Sequence, residues 1–214
     1  MTDTALIAVL ISGRGSNLQA LIDAQAAGWL GGRIRVVIAN RAEAAGLTRA
    51  SAAGLETLVM PHGGYATRAD YDRALVAALR ERGVGLVCLA GFMRVLGPTF
   101  CEAFPEAVVN IHPSLLPAFP GVDAQQQAID HGVKIAGATV HLVTPELDAG
   151  PIVLQRAVPV LEGDTADDLA ARILTVEHEI YPEAVARLLA GGWRVEGRRV
   201  VFFGPQEHRS ASVR

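Results

Sequence analysis

In the stretch VVNIHPSLLP at 108–117, an amide and an imidazole stand two residues apart in an apolar run that ends at a proline. Side chains alternate along a strand, so Asn110 and His112 share one face. A carboxylate, Asp148, follows in the turn-forming stretch ELDAGP at 146–151. Singly, each has an ordinary explanation: Asp bonds nearby backbone in turns, and a strand histidine is usually a satisfied structural group. Converging at one end of one sheet, the three suit addition to a carbonyl. The amide and a cationic imidazole would stabilise the oxyanion while the carboxylate handles protons. Covalent catalysis fits less well, because no Gly-x-Ser-x-Gly elbow is present and Cys88 lies in an apolar run. His62, His112, His131, His141, His178 and His208 show none of the close His or Cys spacings of common metal sites, so a metal is not required.

The elements that must position these groups follow from hydrophobic patterning. Strands are expected at 6–11, 35–39, 56–60, 85–90 and 107–111, with helices at 17–27, 44–53, 67–82 and 125–131. This alternation predicts an α/β fold with a mostly parallel sheet covered by helices. Two longer strands are expected at 135–143 and 152–160, then a long helix at 166–190 and a hairpin at 195–203. No repeat or linker divides the chain, and a frayed polar tail is expected at 206–214. In open α/β sheets ligands bind beyond the carboxyl ends of the strands, which draws attention to the loops starting at Ser12, Asn40, Pro61, Gly91 and His112.

The first of these loops, SGRGSNLQ at 12–19, combines glycines that allow close backbone approach with a helix start that favours phosphate. It is not a P-loop, and Leu18 stands where a dinucleotide fingerprint has its third small residue. A capping box between Ser16 and Gln19 is the alternative that needs no ligand. The loop at 90–96, AGFMRVL, offers apolar groups around one arginine, either as the lining of a flat ligand's pocket or simply as core.

Composition sets outer bounds. The formal net charge of −3 provides no basic field, so neither nucleic acid nor an anionic membrane is an expected partner. Two cysteines cannot build a disulfide scaffold and indicate a reducing, cytoplasmic compartment. The apolar run at 5–11 is too short to span a membrane and lacks a basic leader.

The segments ISGRGSNLQA (11–20), LAGFMR (89–94), NIHPSLLP (110–117) and ELDAGP (146–151), taken in this order, resemble the phosphoribosylglycinamide formyltransferases, folate-dependent enzymes of purine synthesis. The resemblance spans about residues 5–190. It implies a twisted, mostly parallel sheet with helices on both faces and a Rossmann-like, mononucleotide-binding N-terminal half. It also implies one formyltransferase domain over 1–205, with a phosphosugar half to about residue 100 and a catalytic and folate half beyond. The implied reaction moves the formyl group of 10-formyltetrahydrofolate to the amine of 5'-phosphoribosylglycinamide, with Asn110, His112 and Asp148 as catalytic trio. In that role Asp148 helps keep His112 protonated and relays a proton, with water as an optional carrier. Gly15, Ser16 and Asn17 would hold the phosphate or its surroundings, and Glu177 the ribose side. Arg68, Met93, Arg94, Val95 and Leu96 would form the folate site, shared with Asn110. Pro117 is a candidate cis peptide, and a homodimer is allowed. Gln125 stands where relatives often place a histidine, which puts that loop's contacts in doubt, and Arg14 would add charge near the phosphate. Methionyl-tRNA formyltransferase and formyltetrahydrofolate deformylase share the NIHPSLLP site, but each would carry a further domain for which 214 residues leave no room. A catalytically silent nucleotide- or folate-binding protein would be expected to lose one of the trio, and all three are present.

Overall fold

The computed structural model describes residues 4–203, so the polar tail at 206–214 lies outside the described residues. Apolar runs without strict alternation form the central strands: β1 (Ala5–Ile11), β2 (Gly32–Ala39), β3 (Glu56–Val59), β4 (Leu86–Leu89) and β5 (Val108–His112) pair in parallel. β6 (Ile135–Leu142) and β7 (Ile152–Pro159) add antiparallel strands, and β8 (Trp193–Glu196) and β9 (Arg199–Phe202) form the terminal hairpin. All nine lie in one sheet of order β3-β2-β1-β4-β5-β6-β7-β9-β8.

Period-two alternation divides β1 between two cores, as expected for a strand covered on both faces. Ile7, Val9 and Ile11 pack with α1 (Ser16–Ala26) and α6 (Ala166–Ala190), while Ala8 and Leu10 pack with α3 (Arg68–Arg80) and α4 (Pro98–Ala103). Two short helices, α2 (Gly46–Ala52) and α5 (Ala124–Asp130), lie on the α1 and α6 side. Tyr181 of α6 shares its buried hydroxyl proton between the carbonyls of Leu89 and Val109, at 2.8 and 3.1 Å, tying the helix to the strands that lead into the site.

Most expected elements form, with boundaries moved by a few residues: β2 starts three residues before Arg35, and β5 runs one residue further, to His112. α4 was not anticipated. Six residues are too short to display a helical period, although Pro98 at its start is a recognised helix-initiating feature. Among the described residues no helix is long and apolar enough to cross a membrane. The strand order reverses between β1 and β4, which opens a crevice at their carboxyl ends where such folds bind ligands.

Candidate active site

β5 and β6 run antiparallel with Asn110 opposite His141 and His112 opposite Thr139, which sets polar side chains beside one another at the sheet's carboxyl edge. Asn110 Nδ2 lies 3.2 Å from His141 Nε2, and His141 Nδ1 lies 3.0 Å from the Leu142 carbonyl. A carbonyl only accepts, so His141 carries its proton on Nδ1 and accepts from the Asn110 amide through Nε2. Burial lowers the basicity of His141, opposed by the Leu142 carbonyl and the charge of Asp148, which suits this neutral form. The amide of Asn110 is thereby oriented.

His112 is almost fully buried. Its Nε2 donates to the Phe119 carbonyl at 2.9 Å, and its Nδ1 faces Asp148 Oδ2 at 3.5 Å. Each ring nitrogen thus faces an acceptor, Nε2 a carbonyl and Nδ1 a carboxylate. Asp148 is anchored in turn by the Gly121 N–H, which its Oδ2 accepts at 2.8 Å. The turn carrying Asp148 is so close to β6 that a Cβ at Gly150 would lie 1.8 Å from the Leu142 carbonyl oxygen, so only glycine fits there. The loop after His112 contains the cis Leu116–Pro117 peptide, as the resemblance implied. It is pinned by buried Thr139, whose hydroxyl donates to the Ser114 carbonyl and accepts the Leu116 N–H.

At the first loop, the helix start is one residue earlier than expected, and Gly15 occupies the N-cap at φ 71° with no side-chain cap. The capping box between Ser16 and Gln19 does not form, since Ser16 already lies within the helix and the Gln19 amide instead donates to Asp23. The first N–H groups of α1 are thus left uncapped by side chains, as an anion site requires. A Cβ at Gly15 would lie 2.6 Å from the Gly46 Cα, so this loop packs directly on the start of α2. Arg49 of α2 donates to the Arg14 carbonyl at 3.0 Å and reinforces that docking. Asn17 Nδ2 donates to Glu177 Oε2 at 2.7 Å, leaving Asn17 Oδ1 buried without a partner among the described residues. Burial pushes the Glu177 carboxyl up, partly offset by the Asn17 bond. A groove of about 480 Å³ lies beside these groups, lined in part by Ser16, Gln19, Arg49 and His178. A cavity of about 530 Å³ opens instead around Thr4, Leu6 and Gly85, at the far ends of the strands, and shares no residue with the site.

The loop after β4 joins this arrangement through Ser12: its N–H donates to the Gly91 carbonyl at 3.1 Å, and its hydroxyl accepts the Met93 N–H at 2.8 Å. Met93 and Val95 are exposed, whereas Leu96 is 2% exposed and packs in the core with Phe92, so its side chain does not line an open pocket. Arg94 lies over the Tyr71 ring, and Arg68 begins α3 nearby. The expected groups therefore occur in two clusters, the trio at β5 and β6 and the loops flanking the switch-point crevice. His141, Ser12 and the Phe119 carbonyl were missed. Strand register alone would have revealed His141; Ser12 opens the SGRGSNLQ motif, which does not disclose its bond to Met93, and no motif marks the Phe119 carbonyl. Cys88 is buried and its thiol is pushed up to about 12, in keeping with an inert core residue.

Residues 5–185 match the family model described as formyl transferase. A glycinamide ribonucleotide transformylase from Symbiobacterium toebii superposes with a TM-score of 0.93 at 53% identity, covering 95% of this chain and 96% of that one. Phosphoribosylglycinamide formyltransferase of Escherichia coli is 45% identical over 192 residues, covering 90% of this chain and 88% of that protein. The human trifunctional purine biosynthetic protein adenosine-3 is 47% identical over 188 residues, but the chain spans only 18% of that protein's length. The extent of the family match, together with relatives of this identity and coverage, establishes that the chain belongs to the formyl transferase family.

Proposed function

We propose that the chain transfers the formyl group of 10-formyltetrahydrofolate to the amine of 5'-phosphoribosylglycinamide, releasing phosphoribosylformylglycinamide and tetrahydrofolate in purine synthesis. The observation that carries this reading is the cluster of Asn110, His112, His141 and Asp148 at the carboxyl edge of the sheet that also bears the uncapped helix start at Gly15. Phosphoribosylglycinamide formyltransferases of high identity and coverage support it.

The neutral amine attacks the formyl carbon, forming a C–N bond and a tetrahedral oxyanion. The free N–H of Asn110 and the positive charge of His112 stabilise that oxyanion. The bond from the carbon to the folate nitrogen then breaks, and the proton lost by the attacking amine reaches the leaving nitrogen. Asp148 relays it, directly or through water. Gly15, Ser16 and Asn17 hold the phosphate by backbone N–H groups and the helix start, Glu177 accepts from a ribose hydroxyl, and Arg68 with the loop at 93–96 receives the folate. Asn17, before residue 100, bonds Glu177 beyond it, so both halves of the chain contribute to the phosphosugar side in this reading. The test mixes purified protein with both substrates and follows tetrahydrofolate release. Release that depends on the amine substrate is expected, and equal release in its absence would mean a hydrolase instead.

A further inference from the structure

We propose that Tyr71 is a positioning residue that holds Arg94 over its ring and thereby sets how strongly the chain binds the anionic tail of its folate co-substrate. This rests on the assignment of Arg94 to the folate site. Arg94 makes no ion pair among the described residues, and its guanidinium carbon lies 5.4 Å from the centroid of the Tyr71 ring. That distance is within range for a cation held by the face of an aromatic ring.

The ring itself is fixed. Tyr71 is 1% exposed and meets Tyr65 and His62 edge-on, with centroids 5.2 and 6.3 Å away. Desolvation pushes its phenol up to about 12, so the ring remains neutral across the working pH range. The next residue, Asp72, is equally buried and accepts the Gly97 N–H at 2.8 Å. A Cβ at Gly97 would lie 2.7 Å from that carboxylate oxygen and 3.5 Å from Arg68 Nε. Consecutive residues of α3 therefore hold the two ends of the segment 94–97, and Arg68 stands one turn earlier on the same helix. A guanidinium that is placed by packing and lacks a carboxylate partner is prepared to receive one. Folate supplies such a partner in its glutamate tail.

Steady-state kinetics of Tyr71 and Arg94 variants test this. Tyr71→Leu is expected to raise KM for 10-formyltetrahydrofolate by roughly 3- to 30-fold. Turnover and KM for the amine substrate should stay within about 2-fold, and Tyr71→Phe should restore the parent value. In an Arg94→Ala background, Tyr71→Leu should add little, and with a co-substrate lacking the glutamate tail it should have no effect. Phenylalanines of increasing ring fluorination at position 71 keep the shape while weakening the negative face, so KM should climb with fluorine number even if Tyr71→Leu does not fold. A flat fluorination series, or an equal rise in KM with and without Arg94, overturns the proposal. If Arg94→Ala itself leaves the folate KM unchanged, the folate-site assignment has failed and the proposal falls with it.

Discussion

The chemistry depends on which atoms of each side chain are already bonded. Asn110 donates one amide proton to His141, while His112 stands between the Phe119 carbonyl and the Asp148 carboxylate. Asp148→Asn or His112→Ala should therefore lower turnover by roughly 10²-fold or more. Circular dichroism should show an intact fold, and near-normal turnover of either purified variant would remove these residues from the mechanism. Glu177 gives a prediction in pH. Its folded pKa is raised above 4.5 by burial, so its contribution to stability is fully present below 4.5 and is lost as pH rises through the raised value. Glu177→Gln keeps an acceptor for Asn17 without the buried charge. It should melt higher than the parent protein at neutral pH, with the gap closing towards pH 4.5, while KM for the phosphoribosyl substrate increases. A melting difference independent of pH would contradict this account.

Elements hold those atoms in place. α6 begins at a capping box in which Thr165 accepts the Asp168 N–H and Asp168 accepts the Thr165 N–H. Just before it, Asp164 pairs with Arg172 through both carboxylate oxygens, and this holds the Asp164 carboxyl down at about 2. The same helix carries Glu177 to Asn17 beside the loop after β1 and Tyr181 to the sheet. Thr165→Ala should cost about 1 kcal/mol, measured by urea unfolding, because it leaves orphan N–H groups at an exposed helix start. Turnover should not change, since the cap is remote from the trio. The neighbouring β5 and β6 illustrate what patterning can and cannot reveal. The period of two places Asn110 and His112 on one face, but His141 joins them only because the antiparallel register sets it opposite Asn110.

Across the whole molecule, the site is a junction of distant segments. Ser12 links the loop after β1 to the loop after β4, and Ser12→Ala should raise KM for 10-formyltetrahydrofolate several-fold by freeing the Met93 N–H, an effect of about one hydrogen bond. An unchanged KM in steady-state assays would show that the loop holds its shape without Ser12.

The amino-acid sequence by itself determined the α/β class, the order of the strands along the chain and the shared face of Asn110 and His112. Long apolar runs and the two-residue spacing of Asn110 and His112 are local properties, readable wherever burial on both faces suppresses polar residues. It also carried the family, through four motifs in order. Tertiary structure alone decided the partners. Asn17 and Glu177 are 160 positions apart, Ser12 and Met93 are 81 apart, and the neutral state of His141 follows from its burial beside Asn110. The alternative of a capping box at Ser16 is set aside for a related reason: Gly15, packed against Gly46, takes the N-cap and leaves Ser16 within the helix, and no local pattern encodes a contact between two glycines. Local periodicity specifies which face a residue occupies, whereas register, packing and desolvation specify what it meets there.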